Sequence, residues 1–197
     1  MSLGLLASAA VLLSLERICY VVIARRPERF RRLCRRPALA RLGEPVAVVR
    51  KLLYVFKAVQ CSVFAAWCVV HSGGRVLPAE PDPIVFGVGA AAVVAGQILN
   101  WSVFYRLGNV GVFYGDRLGY QVPWCYGFPF SVFLHPQYVG VVLTIWGFFF
   151  SMRFPHDDWF VLPVLETVYY AVGAQLEPEP QPPARAPERA PIGGRLT

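Results

Sequence analysis

Charge is scarce in this sequence. Asp, Glu, Lys and Arg make up 16% of its 197 residues, against roughly a quarter in ordinary soluble domains. A chain so poor in charge argues against a water-exposed globule. No CxxC pair occurs, and the five cysteines (Cys19, Cys34, Cys61, Cys68 and Cys125) are odd in number. Most sit inside apolar runs, where cysteine behaves as a small hydrophobe. A disulfide framework and a metal site are therefore both disfavoured. The opening MSLGLLASAAVLLSLER lacks the basic start and small-residue cleavage site of a secretory signal, so it is read as retained. Gly87-Val88-Gly89 has the letters of a nucleotide loop, but no strand precedes it and no acid follows at the required distance. Helix packing explains that pair better.

What is present in quantity is apolar sequence, 56% of the chain, gathered into runs of about membrane-spanning length. The net charge of +7 invites a nucleic-acid reading, yet Arg25, Arg26, Arg29, Arg31, Arg32, Arg35, Arg36 and Arg41 crowd between apolar segments. Positive-inside topology and anionic lipid headgroups account for them better. The expected fold is all-α: a polytopic membrane helical bundle of four or five membrane segments. Leu3 to Ala24 is the first, interrupted by Glu16-Arg17; it either crosses or lies re-entrant. Val46–Val70 and Ile84–Tyr105 follow, then Val139–Phe150 and Trp159–Gln175. Between the first two lies a solvated basic loop. Residues 1–177 form the membrane domain; 178–197, rich in Pro, Ala and Arg, form a disordered tail. Counting crossings puts the basic loop, the stretch from Gly108 to Gly140 and the tail on one side.

The chain is organised around that glycine-punctuated stretch, LGNVGVFYGDRLGYQVPWCYGFPFSVFLHPQYVG from Leu107. It is too broken for one helix and too apolar for an ordinary loop. In HPQYVG, Pro136 suits a first helical turn, where its missing N–H costs nothing. The free N–H groups of a helix start can receive a carboxylate. His135 and Tyr138 fall one turn apart on the same side. Gln97 and Asn100 are polar groups at membrane depth and need partners or a wet cavity.

AGQILNWSVFYRLGNVGVFYGDRLGY, then PW, FPF and HPQYVG, resembles the phospholipid N-methyltransferase family, densest from Ala95 to Gly140. The resemblance implies S-adenosylmethionine-dependent N-methylation of phosphatidylethanolamine derivatives (the mono- and dimethyl intermediates) to phosphatidylcholine, in the endoplasmic reticulum membrane with the site facing the cytosol. It implies a phospholipid substrate in the bilayer, with no nucleic acid and no metal. Two motifs of that family carry the cofactor. The GxG falls by spacing on Val94-Ala95-Gly96, where Val94 replaces the first glycine. The glutamate pair falls on Leu176-Glu177, where only Glu177 remains, with Glu179 nearby. Tyr138 of HPQYVG joins them as a cofactor contact.

Methyl transfer to an amine relocates a positive charge, so it depends on alignment in a dry, preorganised site. Glu177 suits the cofactor's ammonium. The proton acceptor stays open between His135 and Asp116. Tyr105, Tyr114, Trp124, Tyr126 and Tyr138 offer either cation–π faces for methylated ammonium groups or an interfacial belt. The alternatives are an isoprenylcysteine carboxyl methyltransferase-like membrane enzyme and a non-catalytic scaffold or transporter.

Overall fold

The computed structural model describes residues 3–75, 82–152 and 158–177. Among them all regular structure is helical: α1 (Leu3–Arg25), α2 (Pro27–Cys34), α3 (Pro37–Ala40), α4 (Pro45–His71), α5 (Pro83–Val112), α6 (Pro136–Ser151) and α7 (Val161–Leu176). Proline stands in the first turn of α2 through α6, where its fixed φ favours the helix and no intrahelical bond is lost. Asp82 caps α5, its Oδ1 accepting from the Ile84 and Val85 N–H groups at 2.8 and 3.2 Å.

The first segment is one uninterrupted helix of 23 residues, about 34 Å long. Helices α1, α4 and α5 are long and apolar enough to cross a membrane, and α6 and α7 are shorter apolar helices. Large apolar side chains such as Ile18, Tyr54, Ile84 and Trp101 lie exposed on them, as a lipid-facing surface requires. The basic loop proves partly helical. In α2, Phe30 and Cys34 are buried and pack with Tyr20, Ile23, Val48, Val49, Phe113 and Leu118. Those two apolar residues, four apart, give eight arginine-rich residues one face to bury.

Helix α1 packs on α4 and α7, α7 on α6, and α6 most extensively on α5. Glycines set the α5–α6 contact. A Cβ on Gly89 would stand 2.6 Å from the Gly147 carbonyl oxygen, and one on Gly140 would stand 2.7 Å from that of Gly96. Both pairs must remain without side chains for the antiparallel helices to approach this closely. Gln97 finds its partner here, donating to Thr144 Oγ1 at 2.9 Å. The Asn100 Oδ1 is buried beside Gly140 with no hydrogen-bond partner.

A second core gathers Leu13, Trp67, Ile145, Phe149, Leu162 and Tyr170. The buried polar residues Glu16, Arg17, Gln60 and Glu166 lie on α1, α4 and α7, the helices that meet there. The proposed tail, residues 178–197, lies outside the described residues.

Candidate active site

The C-terminal ends of α1, α5 and α7 meet the start of α6 at one end of the bundle. Arg25 Nε donates to the Leu176 carbonyl at 2.6 Å, placing a cation on the negative end of α7. The Tyr120 hydroxyl donates to Glu44 at 2.6 Å, which ties the central stretch to the start of α4. Burial is slight there, and the bond to Glu44 is the chief reason the Tyr120 phenol is held above its ordinary range. The basic segment, the central stretch and the end of α7 therefore share one face.

The central stretch is broken as its glycines predict. Helix α5 bends at Gly108, whose φ of 62° lies in the left-handed region open to glycine without steric cost. Two turns and an extended run then lead to the α6 cap at His135. Tyr114 also holds a left-handed backbone, φ 58°, uncommon for a bulky residue and worth about 1–2 kcal/mol of strain. That conformation delivers its ring inward. The Tyr114 hydroxyl donates to Glu177 Oε1 at 2.9 Å, and the Tyr138 hydroxyl donates to the same oxygen. Burial, and then the charges of Tyr138 and Glu177, hold the Tyr114 phenol well above its ordinary range. It therefore stays a donor at neutral pH.

Glu177 and its tyrosines face a cavity of about 170 Å³, walled by Val103, Leu107, Phe130 and Leu134 on the apolar side and by Asp116 and His135 on the polar side. The His135 ring stacks on Tyr138 at 5.7 Å between centroids. Asp116 is exposed and faces Arg117 at 3.4 Å. A carboxylate held by two hydroxyls, beside an apolar wall, fits an ammonium-bearing ligand with an apolar part.

The sequence-derived residues thus separate. Glu177, Tyr138, His135 and Asp116 come together at the cavity. Leu176 turns its side chain outward and offers its carbonyl to Arg25. Val94 and Ala95 are exposed, Gly96 is buried against Gly140 and Thr144, and none of the three lines the cavity. Glu179 lies outside the described residues. Of the five aromatics, Tyr114 and Tyr138 line the cavity, whereas Tyr105, Trp124 and Tyr126 are exposed. Tyr105 borders an outer groove with Trp101, Arg106 and Phe128.

Sequence reasoning missed a layer of charge just inside the cavity. Arg17 Nη2 lies 2.7 Å from Glu16 Oε1, and Lys57 Nζ lies 3.2 Å from the same oxygen. Lys57 also bonds Gln60 at 2.9 Å, and Gln60 donates to Glu166 at 2.7 Å. The signal was present: an ion pair in the middle of an apolar helix is a functional hypothesis by default.

The phospholipid methyltransferase family matches residues 84–180, a span that contains the bent helix, the HPQYVG turn and Glu177. Two proteins named phosphatidyl-N-methylethanolamine N-methyltransferase are similar to this chain. The one from Arabidopsis thaliana is 33% identical over 103 residues, 52% of this chain and 56% of that protein. The one from Schizosaccharomyces pombe is 38% identical over 63 residues, 32% of each. The chain thus covers about half the length of the first and a third of the second. No solved structure matches. The turn that presents Tyr138 and the helix end that presents Glu177 both fall inside the matched span, the part of the chain that is similar to the phospholipid methyltransferase family.

Proposed function

We propose that this protein transfers methyl groups from S-adenosylmethionine to the amine of phosphatidylethanolamine derivatives, the mono- and dimethyl forms, yielding phosphatidylcholine. The observation that carries this reading is the Glu177 carboxylate, held by Tyr114 and Tyr138 at the mouth of a half-apolar cavity. When bound, the cofactor supplies a methyl group on a positively charged sulfur.

Glu177 holds the cofactor's ammonium, and the two tyrosine hydroxyls fix the carboxylate's orientation before the ligand arrives. Leu107, Phe130 and Leu134 give the cavity an apolar wall. A dry site matters twice. It strengthens the ion pair, and it lowers the pKa of a lipid ammonium, favouring the neutral amine that must attack. His135, stacked on Tyr138 inside the cavity, accepts the proton lost by the amine. Asp116 is the lesser choice, because Arg117 already faces its carboxylate. The nitrogen lone pair would take the methyl group as the methyl–sulfur bond breaks, the sulfur leaving as a neutral thioether and the positive charge ending on nitrogen. The faces of Tyr114 and Tyr138 stabilise that charge by cation–π attraction. Gly96 lets α5 and α6 close and does not line the cavity. The lipid reaches the cavity sideways from the bilayer, at the cytosolic face of the endoplasmic reticulum membrane.

The test supplies purified protein in lipid bilayers with labelled methyl donor and each candidate acceptor. Label in phosphatidylcholine is the expected result. Label confined to protein methyl esters would instead indicate a carboxyl methyltransferase, and no label at all a scaffold or transporter.

A further inference from the structure

Beneath Tyr138 lies a second, smaller cavity of about 50 Å³ that shares Val112, Tyr114, Gln137 and Tyr138 with the first. Its inner wall carries Glu16, Arg17, Lys57 and Tyr20. Three observations mark it as a place for an anion. Two cations, Arg17 and Lys57, share one carboxylate, Glu16, while Glu166 is engaged by Gln60. The Tyr20 hydroxyl is buried at 6% exposure and has no hydrogen-bond partner, a costly state for a polar group at membrane depth. A guanidinium has five N–H donors, and the Arg17 contacts to Glu16 and to the Tyr170 hydroxyl are both made by Nη2.

Position selects the ligand. The Arg17 guanidinium stands 5.7 Å from the centroid of the Tyr138 ring, and the hydroxyl of that ring reaches Glu177. On α7, a Cβ at Gly173 would lie 3.7 Å from Arg17 Cδ, and Glu177 follows one turn later, its N–H bonded to the Gly173 carbonyl. Arg17 Cδ and the Glu177 backbone are therefore offset along α7 by about one helical turn, roughly 5.4 Å. That offset suits an amino-acid zwitterion, with ammonium on one partner and carboxylate on the other. The start of α6 is a poorer carboxylate site than its sequence suggests, because the Tyr138 and Val139 N–H groups already donate to the His135 carbonyl at 3.1 Å.

We infer that the inner cavity is a carboxylate subsite, in which Arg17, supported by Lys57 and the Tyr20 hydroxyl, holds the amino-acid carboxylate of the cofactor whose ammonium Glu177 holds. The inference rests on the proposed reading of the outer cavity as the cofactor's seat. A lipid phosphodiester offers similar charge, but a 50 Å³ space admits a terminal carboxylate and not a phosphate with two ester arms.

Equilibrium binding to the full chain in detergent tests this with two ligands: S-adenosylhomocysteine, and its decarboxylated counterpart, which keeps the ammonium. The wild type is expected to bind the carboxylate-bearing ligand about tenfold or more tightly. Arg17→Gln should erase that preference and leave affinity for the decarboxylated ligand unchanged. Tyr20→Phe, a milder change, should reduce the preference a few-fold, and Glu177→Gln should weaken both ligands. Arg17→Gln should also leave binding of a short-chain monomethylated phospholipid unaltered. A wild type that binds both ligands equally would overturn the subsite. So would an Arg17→Gln or Tyr20→Phe protein that loses both in proportion, or Arg17→Gln losing only the lipid. A wild type that binds neither ligand would overturn the cofactor reading itself, a distinct result.

Discussion

The Tyr114 hydroxyl donates to Glu177 Oε1 at 2.9 Å, joining the bent end of α5 to the last turn of α7 across 63 residues of chain. Tyr138 donates to the same oxygen from α6, so one carboxylate oxygen binds three parts of the fold at the cavity mouth. Each donor to a charged acceptor is worth about 1.5–3 kcal/mol. Tyr114→Phe and Tyr138→Phe are therefore each expected to weaken cofactor binding about 10- to 100-fold. The melting temperature in detergent should fall by only a few degrees. Isothermal titration with S-adenosylhomocysteine checks this. Unchanged affinity in both variants would remove the tyrosines from the site.

Arg25 connects the end of α1 to the same place through the Leu176 carbonyl. Its loss should free the last turn of α7 and let Glu177 wander. Arg25→Ala is expected to raise the KM for the methyl donor about three- to tenfold, roughly 0.7–1.4 kcal/mol, the scale of a helix-end charge contact. The kcat should be unaltered. A fall in kcat with constant KM would mean that Arg25 acts on the reaction instead of on the helix end.

Much of the fold was legible because proline and glycine punctuate it. Pro45, Pro83 and Pro136 start the helices where the apolar runs begin, and Gly108 bends α5 where the glycine-rich stretch starts. Tyr138 and Glu177 were reachable through the family resemblance, and His135 through its spacing from Tyr138. The Tyr114–Glu177 bond was not, since it depends on a left-handed tyrosine and on how two distant helix ends meet. Helix α2 was hidden by its arginines, which read as a solvated loop until Phe30 and Cys34 are seen to share a buried face. Glu16-Arg17 read as an interruption of α1. Only the packed bundle shows Lys57 and Tyr170 converging on that pair.

Gly96 permits a separation of packing from binding. A methyl group there would stand 2.5 Å from Thr144 Oγ1, and one on Gly89 2.6 Å from the Gly147 carbonyl. Overpacking of this kind costs about 1–3 kcal/mol. Gly96→Ala and Gly89→Ala should therefore lower the melting temperature by similar amounts, with cofactor affinity per folded molecule preserved in both. If Gly96→Ala alone lost affinity at equal melting temperature, the Val94-Ala95-Gly96 segment would be a direct cofactor contact.

The charge layer makes the strongest energetic demand. Glu16 is 5% exposed and balances Arg17 at 2.7 Å and Lys57 at 3.2 Å. Removing one partner of a buried pair leaves an uncompensated charge, at a cost of about 3–5 kcal/mol. Glu16→Ala leaves two cations facing each other, so it should be the most destabilising single change in the layer. Lys57→Met removes a cation and leaves Arg17 paired with Glu16, so its cost should be smaller. Combining Glu16→Ala with Lys57→Met restores the charge count, and the double variant should be more stable than Glu16→Ala alone. A coupling energy of about 1 kcal/mol or more is expected from the thermal or denaturant midpoints of the four proteins. Strict additivity would show that Glu16 and Lys57 do not interact, and that Lys57 instead reaches water past the helix edge.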